Sequence, residues 1–224
     1  MTTATGVSTF IQKILDKKGG ISASNLYAFN IQYPSQTTGY TFKTYLEKNI
    51  GFDASAEELQ LLCNEIQLPG ITYSATDIKS VHKGITQKIA SAKVYNELDV
   101  SFYLDAESVP LKFFRAWQDF TMGHTERATD VYGDGAPNQR HQAFAQRYYD
   151  DYACTLDIKK LEKYNSGGEV KNPPKQGDLK DVWEAKLFNA YPYTVSSIPY
   201  SAGPAQLVKV SVGFYYEYSQ LKIN

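Results

Sequence analysis

The chain has 224 residues, a net charge of −1 and 42% hydrophobic residues. The length allows one large domain or two small ones, and the hydrophobic content is sufficient for a buried core. The near-zero charge excludes a protein that relies on a global positive field to attract nucleic acid or an anionic membrane. The aromatic share of 14% is high and favours strands and interfaces.

The N-terminal quarter combines a helical pattern, a strand and a less regular segment. Residues 10–18 carry apolar side chains at helical spacing and end at two glycines, which predicts a helical extension within residues 1–24. Residues 26–33 have the composition of a strand. Residues 38–53 show no clear period and are interpreted as a long excursion.

The next region predicts a turn followed by an exposed hairpin. Residues 58–67 are most easily a strand, although residues 54–58 also resemble a helix start, so both interpretations stay open. A turn follows at Pro69 and Gly70. Residues 71–92 are polar and poor in large aliphatic side chains, which predicts an exposed hairpin arm.

The clearest pattern lies between residues 98 and 120, where the hydrophobic period changes. Apolar and polar residues alternate as far as residue 104, as in a half-buried strand, and then recur at helical spacing. Asp105 or Ser108 can cap the helix, and Pro110 is tolerated in its first turn. The predicted core residues of this block are Leu98, Val100, Phe102, Leu104, Leu111, Phe114, Trp117 and Phe120.

The C-terminal half is a series of strands separated by loops. Residues 121–147 and 163–180 are polar and turn-rich and are predicted as long loops. Between them, alternation over residues 152–158 predicts a strand, and another strand at 182–190 is expected to end at Pro192. The last strand, residues 208–218, places Val210, Val212 and Phe214 on one face.

Taken together, the pattern is mainly β (α+β) with one principal flanking helix. Alternation of this kind is typical of an antiparallel β-sandwich or barrel. There is no βαβ rhythm and no internal repeat of fixed period. We expect a single domain over residues 1–224.

No motif predicts catalysis, a cofactor or a metal site. The three histidines lack metal-ligand spacing and are interpreted as solvent-exposed. Cys154 lies on the apolar side of its strand, so it is interpreted as a buried structural thiol, and Cys63 likewise. The carboxylates around residues 130–151 do not match an EF-hand, and turns are the better interpretation. We therefore expect that the protein is not an enzyme.

The termini and cysteines bear on where the protein is made. Residues 1–6 lack the basic and apolar regions of a secretory signal, and no apolar run is long enough to span a bilayer. The two cysteines form no CxxC pattern, so reduced thiols made in a cytoplasm are the simpler interpretation. We expect no membrane association.

Five short segments occur in an order shared with a known family. A strand leads into the Leu-Pro-Gly turn at 68–70, a polar arm follows, and a strand ends in Leu-Asp at 104–105. Next come Phe-Phe-x-x-Trp at 113–117, Asn-Ala-Tyr-Pro at 189–192 and the closing strand at 208–218. In this order they resemble the tail tube proteins of contractile-tailed bacteriophages. The resemblance covers residues 25–220, with gaps.

The resemblance implies a structural virion protein with a tail-tube-like fold. Its copies would form homohexameric rings, joined through an inter-subunit β-hairpin arm, that stack into the inner tube of a contractile tail, the conduit for DNA ejection. The implied partners are copies of itself, the tail sheath, baseplate and tape-measure proteins, and DNA that passes without sequence-specific binding. Glu97 and Asp99 are candidates to face the lumen. The implied location is the virion tail, after synthesis in the host cytoplasm.

Three alternatives stay open. The N-terminal extension and the loop over 122–142 look longer than in compact family members, which suits a baseplate tube-initiator or tail-end adaptor ring of the same fold. A tube protein of a phage-derived injection machine is the second alternative. The third is an unrelated carbohydrate-binding or enzymatic β-domain, suggested by the tyrosines and the Asp-rich loop.

Overall fold

A computed structural model describes residues 22, 24–34, 41–50, 57–79, 84, 86–123, 145–163, 179–200, 203 and 206–223. In chain order its elements are β1 (Tyr27–Gln32), α1 (Phe42–Ile50), α2 (Glu57–Leu62), β2 (Cys63–Ile66), β3 (Ile71–Lys79), β4 (Thr86–Tyr95), β5 (Leu98–Tyr103), α3 (Val109–Thr121), β6 (Met122–Gly123), β7 (Ala145–Gln146), α4 (Tyr149–Tyr152), β8 (Cys154–Lys163), β9 (Leu179–Val195), β10 (Lys209–Tyr215) and β11 (Tyr218–Ile223). The predicted class, mainly β with antiparallel pairing and few helices, is confirmed.

The chain divides into two compact units. Unit 1 comprises residues 1–29, 157–186 and 220–224, and unit 2 comprises residues 30–156 and 187–219. The single domain expected over the whole chain stays a prediction. The helical extension predicted within residues 1–24 and most of the two predicted loops, 121–147 and 163–180, lie outside the described residues.

The main sheet of unit 2 has the strand order β9-β10-β5-β2. β10 pairs antiparallel with β5, with Val210 opposite Phe102 and Val212 opposite Val100. β2 pairs with the other edge of β5, where Ile66 lies opposite Val100. Residues that pair across strands share a face of the sheet. One face is therefore fully buried and carries Leu98, Val100, Phe102, Val210, Val212 and Phe214.

Helix α3 covers this buried face. The Phe114 ring lies 5.0 Å from that of Phe102 and 5.8 Å from that of Phe214, between ring centroids. Trp117 is fully buried, and its Nε1 donates a hydrogen bond to the carbonyl oxygen of Tyr152 at 3.0 Å. The helix thus closes the core of unit 2 with aromatic side chains, each of which buries a large area.

The junction between β5 and α3 differs in detail from the predicted pattern. Asp105 caps the helix, since its Oδ1 accepts a hydrogen bond from the Val109 backbone N–H at 2.7 Å. Ser108 makes no side-chain cap and instead has a left-handed backbone, with φ of 56°. Leu104 and Leu111 are only half-buried.

The segment 38–53 contains α1, so its interpretation as an excursion was wrong. Phe42, Tyr45 and Leu46 lie at helical spacing and are buried, and the Phe42 ring lies 5.2 Å from that of Trp117. Short helices are stabilised mainly by tertiary packing, so three apolar positions in a polar segment gave too weak a local signal. The neighbouring segment, for which both interpretations were open, contains α2 and then β2.

β9 extends beyond Pro192 to Val195, so the expectation that the proline ends the strand was wrong. Pro192 pairs with Phe214, directly beside a register shift between Gly213 and Phe214. Nearby, Asn189 has a left-handed backbone, with φ of 55°. A shift of this kind interrupts the hydrogen-bond ladder, and that is where a strand tolerates a residue without a backbone N–H.

Unit 1 contains a pair of carboxyl groups beside two lysines. Asp157 is 4% exposed and hydrogen-bonds with Glu184. Glu184 lies 3.8 Å from Lys159 Nζ and 3.5 Å from Lys186 Nζ. The Oδ1 atom of Asp157 has no hydrogen-bond partner among the described residues.

The two pKa values of this pair move apart. Burial, followed by the charge of Glu184 and the hydrogen bond to it, raises the pKa of Asp157. Desolvation acts to raise the pKa of Glu184, but the hydrogen bond with Asp157 and the two ammonium groups lower it overall. Asp157 is therefore the member of the pair that binds a proton more tightly.

Replacing Trp117 with Ala should lower the free energy of unfolding by about 3–5 kcal/mol, because truncating a buried indole leaves a cavity. The Tyr152 carbonyl also loses its donor. Arg115→Ala, on the exposed side of the same helix, is the control and should change stability by less than about 0.5 kcal/mol. Denaturant unfolding measures both, and an unchanged midpoint for Trp117→Ala would contradict the packing.

Asp157→Asn should make stability less dependent on pH. A raised pKa means that the folded state binds the proton more tightly, so this stabilisation is lost as the pH rises from the ordinary value of 3.8 through the folded value. Asparagine keeps a donor toward Glu184 without titrating. The melting temperature of the variant should therefore rise relative to wild type with increasing pH. The exposed Asp150→Asn is the control, and parallel curves for Asp157→Asn and wild type would refute a raised pKa of Asp157.

Candidate functional site

The sheet of unit 2 has a second face, opposite the one that α3 covers. Side chains alternate along a strand, so the residues between the buried ones point to this side. We call it the open face, and it comprises Glu65, Gln67, Glu97, Asp99, Ser101, Tyr193, Thr194, Ser196, Lys209, Ser211, Gly213 and Tyr215. At its centre is a depression of about 370 Å³ lined by Glu65, Gln67, Asp99, Ser101, Thr194, Ser196, Ser211 and Gly213.

The open face is acidic and rich in hydroxyl groups. Its three carboxylates and one ammonium group give it a net charge of −2, from Glu65, Glu97, Asp99 and Lys209. The hydroxyls of Ser101 and Ser211 hydrogen-bond at 2.9 Å, and the Ser211 backbone N–H donates to the Ser196 hydroxyl at 2.9 Å. These contacts hold the polar side chains in place across three strands.

Tyr193 lies across the middle of the open face. Its ring covers Gly213, where an added Cβ would come within 2.7 Å of the ring, and stacks on Tyr215 with centroids 4.1 Å apart. Its hydroxyl donates a hydrogen bond to Glu97 at 2.5 Å. This bond raises the pKa of Tyr193 to about 12, and the charge of Glu97 raises the pKa of Tyr215. Tyr193 thus ties β9 to the start of β5 across β10.

β3 and β4 form a separate two-stranded sheet, which we call the arm (residues 71–95). The arm continues the ladder of β2 and β5, because Gln67 N–H donates to the Asp99 carbonyl at 3.2 Å and Asn96 N–H to the Gly70 carbonyl at 3.3 Å. Pro69 and Gly70, which were predicted to form a turn, lie at this junction between β2 and β3, where the structure has no turn. An exposed arm was predicted for residues 71–92, and the structure has one there.

The arm exposes apolar side chains on both strands. Its exposed large apolar residues, between 45 and 62% accessible, are Ile71, Tyr73, Ile78, Ile89 and Val94. Both of its outer edges are unpaired within the described residues. Exposed edges and apolar side chains are what a sheet presents when another chain is to pair with it or cover it.

The described residues show no arrangement for catalysis or metal binding. Among them, no cluster of three or more His, Cys, Asp or Glu side chains is placed to hold a metal ion. Cys63 is half-buried, whereas Cys154 is fully buried, and burial raises the pKa of the Cys154 thiol. The three histidines and the carboxylates at 130 and 134 lie outside the described residues. No described helix combines the length and apolarity that a membrane crossing requires.

Sequence reasoning found part of this site. It named Glu97 and Asp99 as candidates to face a lumen, which stays a prediction, and both lie on the open face. It missed Tyr193 and the role of Gly213. The available signal was a glycine at an otherwise bulky position of the last alternating strand, which often marks the close approach of another group.

Comparison with known proteins gives one family and several distant structural likenesses. Residues 22–221 match the family described as phage tail tube protein. A chain of the anti-feeding prophage baseplate is 10% identical, with a TM-score of 0.49, and the match covers 90% of this chain and 95% of that one. A chain of the PVC extracellular contractile injection system sheath–tube complex is 8% identical, with a TM-score of 0.47, covering 94% and 96%. Hcp1 from the E. coli EAEC 042 pathovar is 8% identical, with a TM-score of 0.37, covering 88% and 97%. No curated protein matches the sequence.

Replacing Gly213 with Ala should destabilise unit 2 by on the order of 1–3 kcal/mol, the usual cost of overpacking. The new methyl group would lie 2.7 Å from the Tyr193 ring and 2.8 Å from Thr194 Cγ2. In a Tyr193→Ala background the same change should cost less, since the nearest clash is gone. Equal costs in the two backgrounds, measured by thermal unfolding, would show that the ring does not rest on this glycine.

Proposed function

Because the chain belongs to the phage tail tube protein family, we propose that it is the subunit of hexameric rings that stack into the inner tube of a contractile tail and conduct DNA during ejection. A tube-type structural role follows from the family itself. We propose in addition that the ring has six copies, that DNA passes through it, and that the tail is contractile. The main support for this proposal is the arm, a two-stranded sheet that no other part of the described chain covers.

The arm supports assembly on energetic grounds. A two-stranded hairpin by itself is at best marginally stable in water. The β3–β4 sheet has nine residue pairs and is exposed along its length, so its partner must come from outside the described chain. A closed ring supplies that partner to every copy and leaves no free edge.

The open face is proposed to line the lumen. Its net charge of −2 is multiplied around a ring, and like charge disfavours contact with DNA phosphates. A basic lining would instead bind phosphates through counterion release and hold the DNA. The hydroxyl groups of Ser101, Thr194 and Ser211 keep the surface hydrated without adding positive charge. DNA is therefore expected to slide without sequence-specific contacts.

The remaining assignments follow from this placement. With the open face inward, α3 lies on the outer side of the unit 2 sheet. The proposed partners are further copies of the chain, the tail sheath, the baseplate and the tape-measure protein, and the proposed location is the virion tail, after synthesis in the host cytoplasm. We propose no catalytic activity and no cofactor.

Purified full-length protein should form six-fold rings that stack into tubes as its concentration rises, visible by electron microscopy. Helical reconstruction should place Glu97 and Asp99 at the lumen. Rings that never stack would favour a baseplate or tail-end adaptor of the same fold. A protein that stays monomeric at every concentration, even with sheath and baseplate proteins present, would refute a tube subunit.

A further inference from the structure

The two faces of the arm differ in charge. Residues that pair across the hairpin share a face. Lys93 pairs with Tyr73, and Lys88 pairs with Asp77. Tyr73 and Asp77 are four residues apart in β3 and therefore lie on the same side. This side, which we call the charged face, carries Asp77, Lys88 and Lys93 together with the exposed Ile71 and Tyr73.

A β-bulge creates this segregation. The two lysines are five positions apart in β4, an odd number, so a regular strand would place them on opposite sides. Ser74 pairs with Ala92, but Ala75 pairs with Ala90, which leaves Ser91 as an extra residue. The Ser91 hydroxyl donates a hydrogen bond to the Ser74 carbonyl at 3.0 Å. One extra residue shifts the alternation by one position and brings both lysines to the same side.

The opposite side, the uncharged face, carries no charged side chain. It consists of Thr72, Ser74, Thr76, Ile78, Gln87, Ile89, Ala92 and Val94. All eight residues are exposed, and Ile78, Ile89 and Val94 are accessible to between 45 and 50%. The face combines three exposed aliphatic side chains with hydroxyl and amide groups and has no charge, so covering it would desolvate no ammonium or carboxylate group.

We propose that the uncharged face of the arm seats on a second copy of this chain, with the charged face left in contact with water. The inference rests on the proposed ring assembly and adds which side of the arm is buried in it. The centres of protein interfaces are depleted in charged residues, because burying an unpaired ammonium or carboxylate group is strongly unfavourable. Burying the charged face would desolvate Lys88, Lys93 and Asp77.

The face is too small to hold a partner by itself. Nine residue pairs at about 3.3 Å per residue and two strands give a face of roughly 30 by 10 Å, or about 300 Å². A stable pair of proteins buries about 800 Å² on each partner. One arm seated on a neighbour supplies less than half of that area, so a partner that touches the chain only through the arm would be held weakly. A copy of the chain in a ring meets its neighbour through further surfaces as well, and the arm adds to them.

Two alanines of β4 provide a matched test. Ala92 lies on the uncharged face and Ala90 on the charged face, and both are exposed, so a lysine at either position should leave the monomer folded. We expect Ala92→Lys to raise the concentration required for ring or tube formation at least tenfold, and Ala90→Lys to change it less than twofold. Sedimentation velocity measures assembly, and circular dichroism and the melting temperature check folding. Ala92→Ser, which adds no charge, should assemble like wild type.

The outcomes separate the two proposals. If wild type assembles, three outcomes would overturn the assignment of the buried side and leave the ring proposal standing. These outcomes are assembly of both lysine variants, failure of both to assemble, and failure of Ala90→Lys alone. Wild-type protein that stays monomeric would overturn the ring proposal and the docking with it.

Discussion

The closure of one face of the unit 2 sheet by α3 is the constraint on which the rest of that unit depends. Phe114 and Trp117 pack onto Phe102 and Phe214, and none of the four is accessible to solvent. A register slip of one residue would move every one of the buried strand side chains into water. The other face is thereby determined as well, because each residue between two buried ones must point away from the helix. The acidic, hydroxyl-rich open face is thus a direct consequence of the packing behind it.

The arm continues the same ladder beyond the region that α3 covers. At Gly70 and Asn96 the strands lose the helix behind them but keep their pairing, and the side chains change from buried to exposed. A sheet without a core is stable only if another surface covers it. The proposed ring would supply that surface from neighbouring copies of the chain. The bulge at Ser91 decides which side of the arm is free of charge.

The positions where strand pairing is irregular lie on the open face and on the arm. Gly213 lets Tyr193 lie flat on the sheet and reach Glu97. Tyr193 is the extra residue between the Gly213–Thr194 and Phe214–Pro192 pairs, and Ser91 is the extra residue in the arm. Each of these two extra residues interrupts regular strand pairing and redirects side chains that the proposed lumen or the proposed interface uses. Such departures are common where a sheet serves a purpose beyond its own stability.

The sequence alone determined the strand over residues 98–103, helix α3, the exposed arm and the last alternating strand, because hydrophobic period is a local property that neighbouring residues reveal. It also supplied the family, through the order of short motifs, and two of the acids on the open face. Only the tertiary structure decided that α1 exists, since its few apolar residues need Trp117 to pack against, and that Asp105 rather than Ser108 caps α3. The tertiary structure was also needed to show that Tyr193 contacts Gly213, that β9 continues beyond Pro192, and that Lys88 and Lys93 lie on the same side of the arm. Each of these depends on the register between paired strands, and register is set by which residues meet across space, a relation that no single stretch of sequence contains.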